Sequence, residues 1–230
     1  KQLLCVSAFD SLRGAAGAVA GIAASRVVPA ALEVVDKSWI EANPVLKEFG
    51  QTDVLLFIEL DGCAGAIKRE SETVAAICRR TGASFLRRIS REKKIEEWRE
   101  SRRALDRFSR TGLVSGMKSV VPLPKMVDVL AGLRTIGERH GLAVLAHGYC
   151  LLNDFHAEVA VQPAEEEKVE RLVSEILELA DSLGGSASGP HGARAPRRSP
   201  DRVCLAIKRA LDPNGIVNPL RRHHKRVVHC

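Results

Sequence analysis

The chain has 230 residues, 45% hydrophobic and 27% charged, enough to bury a core as one domain or two small subdomains. Its net charge of +7 gathers largely in two runs, Arg194 to Arg202 and Arg221 to Arg226, but aromatics make up only 4%, which argues against the stacking platforms of single-stranded nucleic-acid binders. No apolar run reaches the ~18 residues of a membrane helix.

Gln2 to Phe9 reads as a strand rich in Leu and Val, and the Ala-rich stretch Ser11 to Ser25 fits a helix. Within it, Ala15 to Ala24 has neither the length nor the basic lead of a signal peptide. Ala30 to Asp36 and Asp53 to Leu60 read as strands. Ile67 to Thr81 has helical spacing and stops at Gly82, a glycine suited to a C-terminal cap. Ser84 to Ile89 reads as a short strand, which completes β-α-β-β-α-β.

Glu92 to Ser109 is a helix with too many Arg and Lys for a core, so it should line an edge or a cleft. Ser119 to Val121 is a short strand, and Lys125 to His140 is a helix capped by Gly141. Leu142 to Ala146 and Phe155 to Val161 are strands. A helix opened by Pro163 carries Glu165, Glu166 and Glu167 in its first turn, where negative charge suits the helix dipole, and it ends at Gly184-Gly185. The expected fold is therefore α+β: a duplicated ferredoxin-like βαββαβ antiparallel sheet with helices on one face. The expected division is 1–91 for the first half, 92–116 for the connecting helix, 117–199 for the second half and 200–230 for a C-terminal helix and basic tail.

That last helix runs into Ala210-Leu211-Asp212-Pro213-Asn214-Gly215-Ile216-Val217-Asn218-Pro219. Asp-Pro stops the helix, Asn-Gly supplies a tight turn, and Asn-Pro forces an extended exit. On physical grounds alone this is an ordinary helix end. Six cysteines (Cys5, Cys63, Cys78, Cys150, Cys204, Cys230) are scattered without a Cys-x-x-Cys pair, the pattern of reduced thiols, so a cytoplasmic protein is expected. The basic runs suit a solvated tail or an acidic partner surface; nucleic acid is not expected, and a peripheral membrane contact is left open.

The Ala210 to Pro219 segment resembles the closing signature of FAD-linked oxidases and dehydrogenases of 2-hydroxy acids, the D-lactate, glycolate and D-2-hydroxyglutarate dehydrogenase group. Pro29 to Asp36, Val54 to Gly62, Trp98 with Arg102 and Arg103, Val121 to Pro124, and Gly184 to Gly192 resemble further segments of that family, in order. The likeness is to the C-terminal, substrate-side half. The N-terminal FAD-binding half has no counterpart here, and the start at Lys1 rather than Met points to a fragment.

The resemblance implies oxidation of a 2-hydroxy acid of the D-lactate or glycolate type to the 2-oxo acid, with FAD as cofactor. FAD would be bound mainly by an N-terminal domain or separate subunit, because no Gly-rich pyrophosphate site is recognisable here. His191, between Gly189 and Gly192, matches a candidate base for the substrate hydroxyl; as a bare residue it is equally an exposed loop histidine. Arg102 or Arg103, and Lys118, match cations that hold the substrate carboxylate. Asn218 matches a residue that lies against the flavin-binding half.

The family also places a two-histidine metal site here, its third ligand the Glu of "SGEHG". His147 and His156 are the candidates, but they stand nine apart where the family has seven, and the Glu position is Pro190, whose side chain cannot ligate. If His156 takes the second histidine position, Tyr149 falls in the first. A divalent metal is therefore not expected, and the two histidines read as loop residues bonded to backbone or water. A homo-oligomer is the expected assembly. The alternative function is a degenerate, non-catalytic relative that acts as a subunit or scaffold.

Overall fold

The computed structural model describes residues 1–103, 113–161, 166–188, 200–214 and 216–217. Eight strands form one sheet, in the order β4-β1-β3-β2-β6-β7-β5-β8. They are β1 (Gln2–Phe9), β2 (Ala31–Asp36), β3 (Val54–Asp61), β4 (Ala83–Ile89), β5 (Leu113–Val120), β6 (Val144–Tyr149), β7 (Asp154–Val161) and β8 (Ser186–Ser188). Every pairing is antiparallel. Each run of four strands has the ferredoxin-like order, and the two runs meet edge to edge through β2 and β6. The chain is α+β with a duplicated ferredoxin-like sheet.

Four helices cover one face: α1 (Leu12–Ala23), α3 (Ala64–Arg80), α5 (Met126–His140) and α6 (Glu166–Ser182). Sequence explains their ends. Ser11 caps α1, its hydroxyl accepting from the Gly14 amide at 3.1 Å. α5 stops at Gly141, which takes φ +65°, the left-handed conformation glycine adopts without strain. The apolar stripe of α5, Val129, Leu130, Leu133 and Ile136, is buried with Phe155, Ala157 and Val159 of β7. Close approach requires glycine at two places. A Cβ on Gly132 would stand 2.6 Å from Leu179 of α6, and one on Gly185 would stand 2.3 Å from the Val120 carbonyl oxygen.

The other face differs between the halves. Over the first half lie α2 (Lys37–Ala42), a 3-10 turn (Pro44–Phe49) and α4 (Glu92–Arg103). The charged helix α4 sits down on this face through Ile95 and Trp98, 1% and 7% exposed. Trp98 packs on Phe57 with centroids 5.4 Å apart. Arg99 pairs with Glu59 of β3 at 2.9 Å, which raises the guanidinium's proton affinity further. The helix is thus amphipathic on a narrow stripe, enough to dock despite its charge.

Over the same face of the second half, α2 reaches β6, where Trp39 clusters with Leu145. Along β5, Gly116, Lys118 and Val120 are exposed, whereas Met117 and Ser119 are buried. Along β7, Phe155, Ala157 and Val159 are buried and the residues between them are half-buried. That is the period-two pattern of a sheet with one face on the core and one toward solvent.

Lys1–Ala195 and Pro196–Cys230 are separate compact units. In the second, α7 (Pro200–Leu211) ends as the Asp-Pro pair requires. The Asp212 carboxylate accepts from the Ile216 and Val217 amides at 2.8 and 2.9 Å and meets the Lys208 ammonium. These contacts hold its pKa below the usual carboxylate range, Lys208 first among them.

Candidate functional site

This face of the second half carries a group of chemically versatile side chains. His147 of β6 lies directly opposite His156 of β7, and His156 lies opposite Lys118 of β5, itself opposite Ser188 of β8. One row across the sheet therefore reads His147, His156, Lys118, Ser188. The neighbouring row holds Tyr149, Asp154 and Val120 on the same face.

The imidazoles of His147 and His156 stack, with centroids 4.7 Å apart and planes 20° from parallel. Tyr149 stands edge-on to both, at 5.8 and 5.4 Å. Trp39 of α2 approaches His147 from the other side at 6.2 Å. The Asp154 carboxylate lies 3.1 Å from Nε2 of His156. Lys118 is exposed.

The hairpin joining β6 and β7 settles the histidine spacing. Because His147 pairs with His156, the two extra residues are taken up in the turn, and Tyr149 pairs one row further on with Asp154. The turn is a 3-10 segment, Cys150–Leu152, closed by Asn153 at φ +55°. Cys150 anchors it beneath the sheet, its thiol 3.8 Å from Met126 sulfur and pushed up to about 12 by burial. The Asn153 carbonyl accepts from the Val121 amide at 3.0 Å, tying the turn to the end of β5. Gly148 gives Phe155 its place; a Cβ there would sit 2.4 Å from the Phe155 ring.

The structure brings His147, His156 and Lys118 together. Arg102 and Arg103 end α4, and their side chains, like His191, Asn218 and Pro190, lie outside the described residues. Sequence reading brought Tyr149 to the first histidine position but missed Asp154 and Trp39 as neighbours of the histidines. The period-two spacing of His147 with Tyr149 and of Asp154 with His156 was the available signal.

Among the described residues the donor set falls short of a divalent-metal site. Among the described residues no group of three His, Cys, Asp or Glu side chains converges on a point. The two imidazoles stack, one of them occupied by Asp154, and the position of the third ligand holds proline. After dialysis the protein is expected to carry well below one zinc or manganese per chain. Elemental analysis that returns one metal per chain would mean that another residue completes a site with His147 and His156.

The sequence pattern of the family "FAD linked oxidases, C-terminal domain" matches residues 1–221. The chain belongs to this family. Its FAD-linked relatives include the glycolate oxidase subunit GlcD of Escherichia coli, 28% identical over 93% of this chain and 46% of the relative. The D-lactate dehydrogenase of Archaeoglobus fulgidus is 24% identical over 92% of this chain and 49% of the relative. This FAD-linked oxidase C-terminal domain spans about half the length of the curated relatives it matches. Among solved structures, p-cresol methylhydroxylase shares the fold with a TM-score of 0.69 and 14% identity, covering 94% of this chain and 51% of that one. Alkyldihydroxyacetonephosphate synthase does so with a TM-score of 0.64 and 16% identity, over 93% and 44%.

FAD is the family's cofactor. Among the described residues this sheet face gathers an ammonium, two imidazoles and a phenol at neighbouring register positions. Among the described residues no helix long and apolar enough to cross a membrane occurs.

Proposed function

We propose that this domain is the substrate-side half of an FAD-dependent dehydrogenase that oxidises a small 2-hydroxy acid, of the D-lactate or glycolate type, to the 2-oxo acid. The FAD-binding domain or subunit would dock over the face of the second half that carries the histidine row. The observation that carries the reading is the His147–His156–Lys118 row, which the strand register brings together on one sheet face. The names of the glycolate oxidase and D-lactate dehydrogenase relatives support the choice of substrate class.

The chemistry follows from charge. A 2-hydroxy acid brings a carboxylate, which the Lys118 ammonium attracts and one guanidinium of Arg102 or Arg103 would fork. The imidazoles beside Lys118 offer donors to the hydroxyl and carboxylate oxygens. His191 would take the hydroxyl proton, and Asn218 would face the flavin half. Bound FAD supplies the acceptor for the hydride that leaves the same carbon, so the substrate loses two electrons and two protons in all.

A second reading is favoured by Pro190 and by the lengthened histidine turn: a relative that keeps the fold as a subunit or scaffold and has lost turnover. One experiment separates the two. The 230-residue chain alone is expected to be colourless and to bind FAD weakly. Co-expressed with its FAD-binding half, it should form a yellow complex that reduces a dye when given D-lactate or glycolate. A yellow complex inert to a panel of 2-hydroxy acids would establish the scaffold instead. Stoichiometric flavin on the isolated chain would overturn the assignment to the cap half.

A further inference from the structure

The two halves of the sheet are joined by a very short seam. Only three residue pairs connect β2 to β6: Glu33 with Tyr149, Val34 with Gly148, and Val35 with His147. The next residue of β2 is Asp36, where the ladder ends. Its carboxylate takes over from the backbone, Oδ1 accepting from the Ala146 amide at 3.3 Å and from the Trp39 amide at 3.0 Å.

One oxygen atom thus holds two things that define the surroundings of His147. The first is the strand residue immediately before it. The second is the first turn of α2, which carries the Trp39 ring against His147. α2 has six residues, too few to be stable without its cap and its packing. Asp36 and Trp39 are 1% and 2% exposed, so neither bond is exchanged freely for one to water. Burying a carboxyl group at this point is costly, and a helix cap alone could be provided by a smaller neutral side chain. The reach to a second element distinguishes Asp36 from a simple cap.

We propose that Asp36 is a positioning residue for the histidine row: by bridging the β2–β6 seam and the start of α2, it sets the backbone and the ring contact that orient His147. The proposal rests on the reading of that row as the substrate face. Its test is made without substrate, so loss of the redox reading would leave the result standing.

The measurement is NMR on the 230-residue chain, comparing amide exchange and histidine ring signals. Asp36→Ser keeps an oxygen near the Trp39 amide but is too short to reach Ala146. It should leave the Trp39 amide protected and make Ala146 exchange roughly tenfold faster, the equivalent of about one hydrogen bond. The ring signals of His147 should move while those of His140, on α5, stay fixed. Asp36→Asn keeps Oδ1 and should preserve both amides and the His147 signals. Unchanged His147 signals in Asp36→Ser, with Ala146 either protected or exposed, would refute the positioning role. Should Asp36→Ser fail to fold, displaced His147 signals in Asp36→Asn would refute it equally.

Discussion

His191→Ala is expected to lower kcat by about 10²–10⁴ in the assembled enzyme, the usual cost of losing a general base, with little change in KM for the acid. In the sequence its neighbours are Gly189, Pro190 and Gly192, and glycines permit close approach of backbone to a ligand. Ser188, three residues earlier, pairs with Lys118, so the chain leaves β8 beside the proposed carboxylate-binding cation. Lys118→Ala makes the contrasting case. It removes an ammonium that attracts the acid before and during reaction alike, so KM should rise by about 10- to 100-fold, as for a hydrogen bond to a charged group, with a smaller fall in kcat. Steady-state kinetics with D-lactate or glycolate separate the two effects. Equal behaviour of the two variants, both acting on KM alone, would remove His191 from the role of base.

Asp36→Asn is expected to stabilise the fold at neutral pH and not at pH 4. Burial holds the Asp36 carboxyl up at about 6, against an ordinary 3.8, even with the Trp39 and Ala146 amides and the Arg134 charge drawing it down. A raised value in the folded state has a definite sign. Below the unfolded value both states are protonated and the group's full contribution is present. As pH rises, the unfolded chain ionises first, and stability is lost until the folded carboxyl has also ionised, above pH 6. The loss amounts to about 3 kcal/mol. Asparagine keeps the accepting oxygen and cannot ionise. Its amide nitrogen takes the place of Oδ2, a buried atom with no partner among the described residues, which costs a constant ~1–3 kcal/mol. The difference between variant and parent should therefore swing by about 3 kcal/mol in the variant's favour between pH 4 and pH 8. Urea denaturation at the two pH values reads it directly. A difference independent of pH would mean that Asp36 ionises as freely in the folded chain as in the unfolded one.

Much of this fold was legible in the sequence because its elements are long and periodic. Strands β1, β3 and β7 and helices α1, α3, α5 and α6 appear within a few residues of where composition and capping glycines place them. α2 and the 3-10 turn escaped, although Asp36 and Asn43 are good capping residues, because six residues show too little periodicity to separate from a loop. β5 is longer than its apolar content suggests: Ser115, Gly116, Lys118 and Ser119 weaken the pattern, yet the ladder with β7 runs from Leu113 to Val120. Lys118, His147 and His156 could be named from resemblance. Their alignment in one row could not, since it depends on the register of the β6–β7 hairpin and on the two residues absorbed at Cys150–Leu152. Tyr149 shares the period-two spacing of β6 with His147, but the roles of Trp39 and Asp36 arise from a seam between distant halves, which no local pattern encodes.

That seam has a further consequence for how such a molecule can arise and be divided. Joining two ferredoxin-like units through β2 and β6 hides one open strand border of each unit behind the other. A unit cut free would present β2, with Leu32, Val34 and Val35, or β6, with Val144 and Leu145, as an unpaired hydrophobic border ready to recruit any extended chain. The duplicated units are therefore each other's chaperone as well as each other's neighbour. Natural selection and protein engineering alike must treat the pair, rather than the single unit, as the smallest piece that can be moved intact.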